Sequence, residues 1–303
     1  MLRRIALSLA IVAVSLAIVG LVVTAPKSVT AADLPPHQPD LANGRAMFEA
    51  AGCASCHATP GQKDMTRLGG GVVLKSAFGN FVTPNISPDR QDGIGGWSEA
   101  DFVSAMHEGT SPAGANLYPA FPYTSYAHMR IADVRDLFAY LKTLPPVAGR
   151  PLDHDLRFPF NQRWLLGIWK FLFFKDAVFT PDAAQSPEWN RGAYLVNGPG
   201  HCAECHSPRN MLGAIVADKR FTGGPNPTGG SKVPSITQAN LDIWSVKDIE
   251  TLLTTGETPD GDTIGHAMAD VVKNTAQLSP ADRHAIAVYV KSLPARPDEK
   301  KAD

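Results

Sequence analysis

All four cysteines of this 303-residue chain fall in two near-identical clusters, Cys53-Ala54-Ser55-Cys56-His57 and Cys202-Ala203-Glu204-Cys205-His206, 149 residues apart. Each reads C-x-x-C-H. The spacing has a chemical reason: two thiols three positions apart on a helical turn can each form a thioether with one vinyl group of a haem. The adjacent His then swings under the ring and ligates the iron from the proximal side. A zinc site shared by the two C-x-x-C pairs, or two disulfides in an oxidising compartment, would use the same cysteines but would explain neither histidine. The expectation is therefore two covalently bound haem c groups, with Cys53, Cys56, Cys202 and Cys205 as attachment residues and His57 and His206 as proximal iron ligands.

The clusters lie inside an internal repeat. Asn43-Gly44-Arg45-Ala46-Met47-Phe48 precedes the first and Asn190-Arg191-Gly192-Ala193-Tyr194-Leu195 the second, each reading as a helix that leads into its haem-binding turn. Gly96-Trp97-Ser98-Glu99-Ala100-Asp101-Phe102 answers to Ile243-Trp244-Ser245-Val246-Lys247-Asp248-Ile249, and each half then reaches a glycine turn at Gly114 or Gly261. Val134, Leu137, Phe138 and Leu141, and again Ile286, Tyr289, Val290 and Leu293, predict an amphipathic helix closing each half. Ser279-Pro280 supplies an N-cap and first-turn proline for the second of these. The predicted fold is all-α: two tandem cytochrome c domains over 40–146 and 186–296, joined by an aromatic-rich linker over 147–185 and preceded by an N-terminal apolar helix.

A low-spin electron-transfer haem needs a second axial ligand, and Met raises its potential relative to His. In the second half the reading is Met268, with His266 as runner-up; Met211 lies too near Cys205 to reach the opposite face. The first half is less regular. Seven residues after Gly261 is Met268, but seven after Gly114 is Phe121, which cannot ligate iron. Met129, directly before the last helix, is the choice there. Met106 reads as a core position, Met65 is too near its cluster, and His128 or an open iron stays in play. His37, His107, His154, His201 and His284 read as surface or structural.

Residues 1–32 have a different character. Arg3 and Arg4 precede an uncharged run over 5–26 that ends before Lys27, which fits either a secretory signal peptide or a membrane anchor. Val29-Thr30-Ala31 offers a small-residue cleavage site, and the basic start holds the extreme N-terminus in the cytoplasm. Everything after Lys27 is then exported. Without Arg3, Arg4 and Lys27 the remainder has 25 basic against 29 acidic residues, a formal charge of −4, before any haem propionates are counted. An acidic chain of this kind excludes nucleic-acid binding through a basic surface. Length and the 44% hydrophobic content fit two globular domains and exclude intrinsic disorder.

Between the halves, Pro145-Pro146-Val147-Ala148-Gly149-Arg150-Pro151 reads as extended linker. Arg163-Trp164-Leu165-Leu166-Gly167-Ile168-Trp169-Lys170-Phe171-Leu172-Phe173-Phe174-Lys175 follows. It is too short and too often charged to span a bilayer. It reads as packing across the domain junction, or as facing a partner subunit or membrane interface with Arg163, Lys170 and Lys175 reaching the polar side.

The strings Thr83-Pro84-Asn85-Ile86-Ser87-Pro88, Gly93-Ile94-Gly95-Gly96-Trp97, Tyr118-Pro119-Ala120-Phe121-Pro122-Tyr123 and Gly200-His201-Cys202-Ala203-Glu204-Cys205-His206 carry a resemblance that extends over nearly the whole chain after Pro39. The sequence resembles the cytochrome c subunits of bacterial periplasmic alcohol, gluconate, fructose and aldehyde dehydrogenase complexes. The resemblance implies an electron-transfer subunit, without substrate chemistry of its own, on the periplasmic side of the inner membrane. Such a subunit takes electrons from a dehydrogenase catalytic subunit and passes them to a quinone, another cytochrome or a terminal oxidase. It also implies that Trp97 and Trp244, with the Pro84-Asn85 and Pro234-Ser235 segments, lie near the haem edges and propionates. The best-known members carry three C-x-x-C-H clusters and this chain two, which shifts weight from direct quinone reduction toward a soluble cytochrome or oxidase acceptor. The competing reading from another class is a dihaem cytochrome c peroxidase-type enzyme, which would need an iron that is open or able to open.

Overall fold

Two crossed helix pairs, built alike, frame the chain. The computed structural model describes residues 2–175, 177–226, 229–230, 232–296 and 299. Its helices are α1 (Leu2–Val23), α2 (Leu41–Ala50), α3 (Cys53–His57), α4 (Glu99–Val103), α5 (Tyr123–Tyr126), α6 (Ile131–Leu141), α7 (Leu165–Phe173), α8 (Pro187–Asn197), α9 (Ala203–His206), α10 (Val246–Thr255), α11 (His266–Thr275) and α12 (Pro280–Lys291). A π-helical turn, Ser104–Glu108, extends α4.

In the first half α2 crosses α6; in the second α8 crosses α12. Each crossing has a glycine at a close approach. A Cβ on Gly44 would stand 2.2 Å from the Asp136 carbonyl oxygen, and one on Gly192 1.9 Å from that of Ala285, so any side chain there would force the helices apart. The apolar positions expected to face the core do so. Val134, Leu137, Phe138 and Leu141 are buried, as are Ile286, Tyr289, Val290 and Leu293.

The starts of these helices follow from their caps. Asp40 accepts from the backbone N–H groups of Ala42 and Asn43 to begin α2, and Ser279, with Pro280 in the first turn, accepts from Asp282 to begin α12. The repeated Trp-Ser stretches are capping boxes: Ser98 with Asp101 opens α4, and Ser245 with Asp248 opens α10. At the far end of each half a lysine clamps the turn before the tryptophan. Lys142 Nζ donates to the Gly95 carbonyl at 2.6 Å, and Lys291 Nζ to the Leu241 carbonyl at 2.9 Å.

The all-α expectation needs correcting to mostly helical. β1 (Val73–Ser76) and β2 (Gly79–Val82) form an antiparallel hairpin with Val73 opposite Val82, and β3 (Asp155–Leu156) adds to its edge with Leu156 opposite Gly79. A second short pair joins β4 (Gly224–Pro225) to β5 (Lys232–Val233). The 147–185 segment is thus more than a spacer. It supplies a strand to the first half's hairpin and then α7, whose Lys170 Nζ donates to the carbonyls of Glu108 (2.6 Å) and Gly109 (2.8 Å). Trp169 Nε1 reaches across to the Leu212 carbonyl at 2.9 Å, so α7 touches both halves.

α1 leaves its apolar side chains exposed, Leu7, Leu9, Leu21 and Val22 among them. Its end abuts α7, where a Cβ on Gly167 would lie 2.3 Å from the Thr24 carbonyl oxygen. Among the described residues no helix is long and apolar enough to cross a membrane; the side chains of Leu2, Ala13, Leu16 and Ala17, within α1, lie outside those described.

Candidate functional site

The first C-x-x-C-H cluster forms α3 and the second forms α9 with Cys202 as its N-cap, so both clusters sit on a single helical turn as their spacing requires. The histidines are oriented alike. Nδ1 of His57 lies 2.9 Å from the Pro84 carbonyl oxygen, and Nδ1 of His206 2.8 Å from that of Pro234. A carbonyl can only accept, so each Nδ1 carries the proton and each Nε2 keeps a lone pair for a metal. Burial pushes both imidazoles below the ordinary histidine range, against the opposing effect of the proline carbonyl, and so favours the neutral, ligating ring.

Burial likewise raises the thiols of Cys53 and Cys202 to about 12. All four sulfurs are free of disulfides. Among the described residues no group of three or more His, Cys, Asp or Glu side chains converges to hold a metal ion, so the geometry lends the shared zinc site no support. A pair of thiols on one turn beside an imidazole with a free Nε2 fits covalent haem, and the chain presents that donor set twice.

The sixth-ligand candidates are placed less symmetrically. Met268 lies in the first turn of α11, half-buried against the core; His266, the runner-up, opens that helix with a positive φ of 56°. In the first half the residue in the corresponding place is Phe121. Matching β-bridges, Thr110 with Asn116 and Glu257 with Thr263, put the two turns in register, and the Phe121 ring packs 5.4 Å from that of Tyr126. Met129 is fully enclosed, its Cγ 3.6 Å from where a Gly198 Cβ would stand. Nδ1 of His128 is held by the Ala177 carbonyl at 2.6 Å. Met106 is core, whereas Met65 and Met211 are exposed. Trp97 and Trp244 pack, partly buried, against the core.

Other residues around the two turns belong to no motif in the sequence. Glu204, inside the second cluster, is buried and accepts from Thr124 Oγ1 (2.9 Å) and Ser125 Oγ (2.8 Å) of the first half, while Arg209 pairs with it at 2.6 Å. Burial opposes its ionisation, but the Arg209 guanidinium and the two hydroxyls outweigh that and hold the carboxyl below the usual range. Nε2 of His201, read as surface or structural, reaches the Ala51 carbonyl beside the first cluster at 3.2 Å. Tyr194 donates to the buried Asp133 of the other half.

A family profile described as cytochrome c matches residues 41–145. A dihaem c-type cytochrome of Cereibacter sphaeroides is 52% identical over 258 residues, which is 84% of this chain and 86% of that protein. The fructose dehydrogenase cytochrome subunit of Gluconobacter japonicus is 38% identical over 86% of this chain, and the cytochrome c subunit of the quinone-dependent alcohol dehydrogenase of Gluconobacter oxydans 37% over 82%. The chain spans 54% and 53% of the lengths of these last two.

Proposed function

The chain belongs to the family of dihaem c-type cytochromes, and on that footing we propose that it is the electron-transfer subunit of an exported dehydrogenase system. It carries no substrate chemistry of its own. The observation that bears most weight is the doubled donor set: two C-x-x-C-H turns, each with its histidine fixed through Nδ1 by a proline carbonyl at nearly the same distance. Haem c supplies reversible one-electron chemistry when bound. The residues supply attachment through Cys53, Cys56, Cys202 and Cys205, proximal bonds through His57 and His206, and an apolar surround.

Met268 is the proposed sixth ligand of the second iron and Met129 that of the first. A peroxidase-type enzyme would need one iron open, and the first half is where that reading would apply, because Phe121 stands there in the place that Met268 holds in the second. Relatives named as cytochrome subunits of fructose, alcohol and gluconate dehydrogenases support the carrier over that enzyme.

The electron donor is a dehydrogenase catalytic subunit, and the acceptor a quinone, another cytochrome or a terminal oxidase. The site of action is the periplasmic side of the inner membrane, reached through residues 1–32 as leader or anchor. An exposed apolar face, made by Ile168, Phe171 and Leu172 of α7 with its N-cap Trp164 next to the end of α1, supports a seat at that membrane.

The test is a redox titration of the purified holoprotein. Two reversible one-electron steps and low-spin spectra in both states are expected; a resting high-spin haem with peroxide turnover would replace the carrier by the peroxidase.

A further inference from the structure

The contact between the two halves repeats itself. Ser125 donates to Glu204 at 2.8 Å and Asn274 donates to Ser55 at 2.8 Å. Asn274 is Ser125 displaced by 149 positions, and Glu204 is Ser55 displaced by the same 149. Those two bonds are therefore one contact made twice, as across an isologous dimer interface. Cys56 and Cys205, again 149 apart, each directly follow the residue that makes this contact, Ser55 in one half and Glu204 in the other. A local two-fold axis relates the two contacts, and each attachment turn docks on the segment before the other half's closing helix.

The flanking residues obey the same symmetry with different chemistry. Gly52 and His201, each immediately before its first cysteine, both take left-handed backbone, with φ of 57° and 37°. Gly52 makes room for Asn274, whose Nδ2 would lie 2.9 Å from any Cβ there. His201 instead fills the space, its ring 5.7 Å from that of the buried Tyr126. A non-glycine residue held at positive φ is strained, and only a well-determined contact sustains it.

We propose that this seam is the internal electron junction of the chain, and that Glu204 is the positioning residue that keeps the two attachment turns docked. The inference rests on the carrier reading. Of the paired contacts, the one at Glu204 is the stronger. Its buried carboxylate is held by a guanidinium and two hydroxyls, whereas Ser55 offers a single neutral hydroxyl to Asn274. The step moves one electron, oxidising one centre as it reduces the other; no bond forms or breaks and no proton is transferred.

The experiment compares full-length holoproteins carrying Glu204→Ala, Glu204→Gln and Asn274→Ala with the parent. Electron paramagnetic resonance of the oxidised proteins reads magnetic interaction between the two ferric centres, and partial photoreduction reads the rate at which they equilibrate. The parent spectrum is expected to depart from the sum of two isolated low-spin signals. Glu204→Ala lowers the inter-centre rate by about tenfold or more, as misplacement of reacting groups does, while each haem keeps its optical spectrum. Glu204→Gln, which still accepts from Ser125 and Thr124, keeps most of the rate. Should Glu204→Ala fail to mature, Asn274→Ala must show the same slowing from the other side of the axis. Centres that reduce reversibly but neither interact nor slow in these variants would overturn the junction and leave the carrier standing; centres that do not reduce reversibly would overturn both.

Discussion

Nδ1 of His57 sits 2.9 Å from the carbonyl oxygen of Pro84, and this bond fixes which ring nitrogen is left to meet a metal. Gly70 keeps the two segments in place: its N–H donates to the His57 carbonyl at 2.8 Å, its φ is 70°, and a Cβ on it would stand 2.4 Å from the Pro84 oxygen. Gly70→Ala is expected to cost about 1–3 kcal/mol through left-handed backbone and the displaced carbonyl. Chemical denaturation followed at the Soret band reads the loss as a lower midpoint. Gly223, with φ 74° and its N–H on the His206 carbonyl, predicts the same effect in the second half.

Gly192→Ala sets two effects against each other. Alanine in a helix interior gains up to about 1 kcal/mol over glycine, but here its methyl would meet the Ala285 carbonyl at 1.9 Å. Steric overlap wins, and a net destabilisation of about 1–3 kcal/mol is expected, visible as a lower melting temperature. A more stable variant would mean that the α8–α12 crossing is looser than the structure has it.

Asp136 is buried and accepts from Asn43 Nδ2 (2.8 Å), the Asp40 N–H (2.9 Å) and His37 Nε2 (2.6 Å). Burial alone would raise its carboxyl; these donors outweigh burial and hold it below the ordinary value. Its contribution is therefore fully present above the unfolded carboxylate value of about 3.9 and is lost as pH falls through the lower folded value. Asp136→Asn should cost about 1–3 kcal/mol near neutrality and flatten the acid limb of a melting-temperature profile against pH. An unchanged acid limb would count against this account.

Met268→Ala and Met129→Leu separate the two sixth-ligand proposals. Loss of the methionine-to-iron charge-transfer band of one haem is expected in each. If Met129→Leu leaves the oxidised spectrum unchanged, the first iron is held by His128 or is open, and the position occupied by Phe121 becomes the reason.

The two C-x-x-C-H turns were legible because the signal is local: both cysteines and the adjacent histidine lie within five residues, on one helical turn. The closing helices were legible as well, since a 3.6-residue apolar period predicts which side chains bury, and Ser279-Pro280 marked where α12 begins. The strands were not. β3 comes from the linker and pairs with β2 more than 70 residues earlier, and nothing in Asp155 and Leu156 signals that pairing. The seam was hidden for a related reason. Asn274 and Ser55 are 219 residues apart, and the equivalent positions carry different residue types, so resemblance between the halves does not expose them. The 149-residue register does: applied to Ser55 and Ser125, it points at Glu204 and Asn274.

The proposed function requires that one chain carry two working haems. A spectroelectrochemical titration of the purified full-length protein, calibrated to haem per chain, tests it most directly. Two haems per chain, each taking up one electron reversibly and low-spin in both states, is the predicted result; a single haem per chain, or a second haem that is high-spin and turns over peroxide, would contradict it.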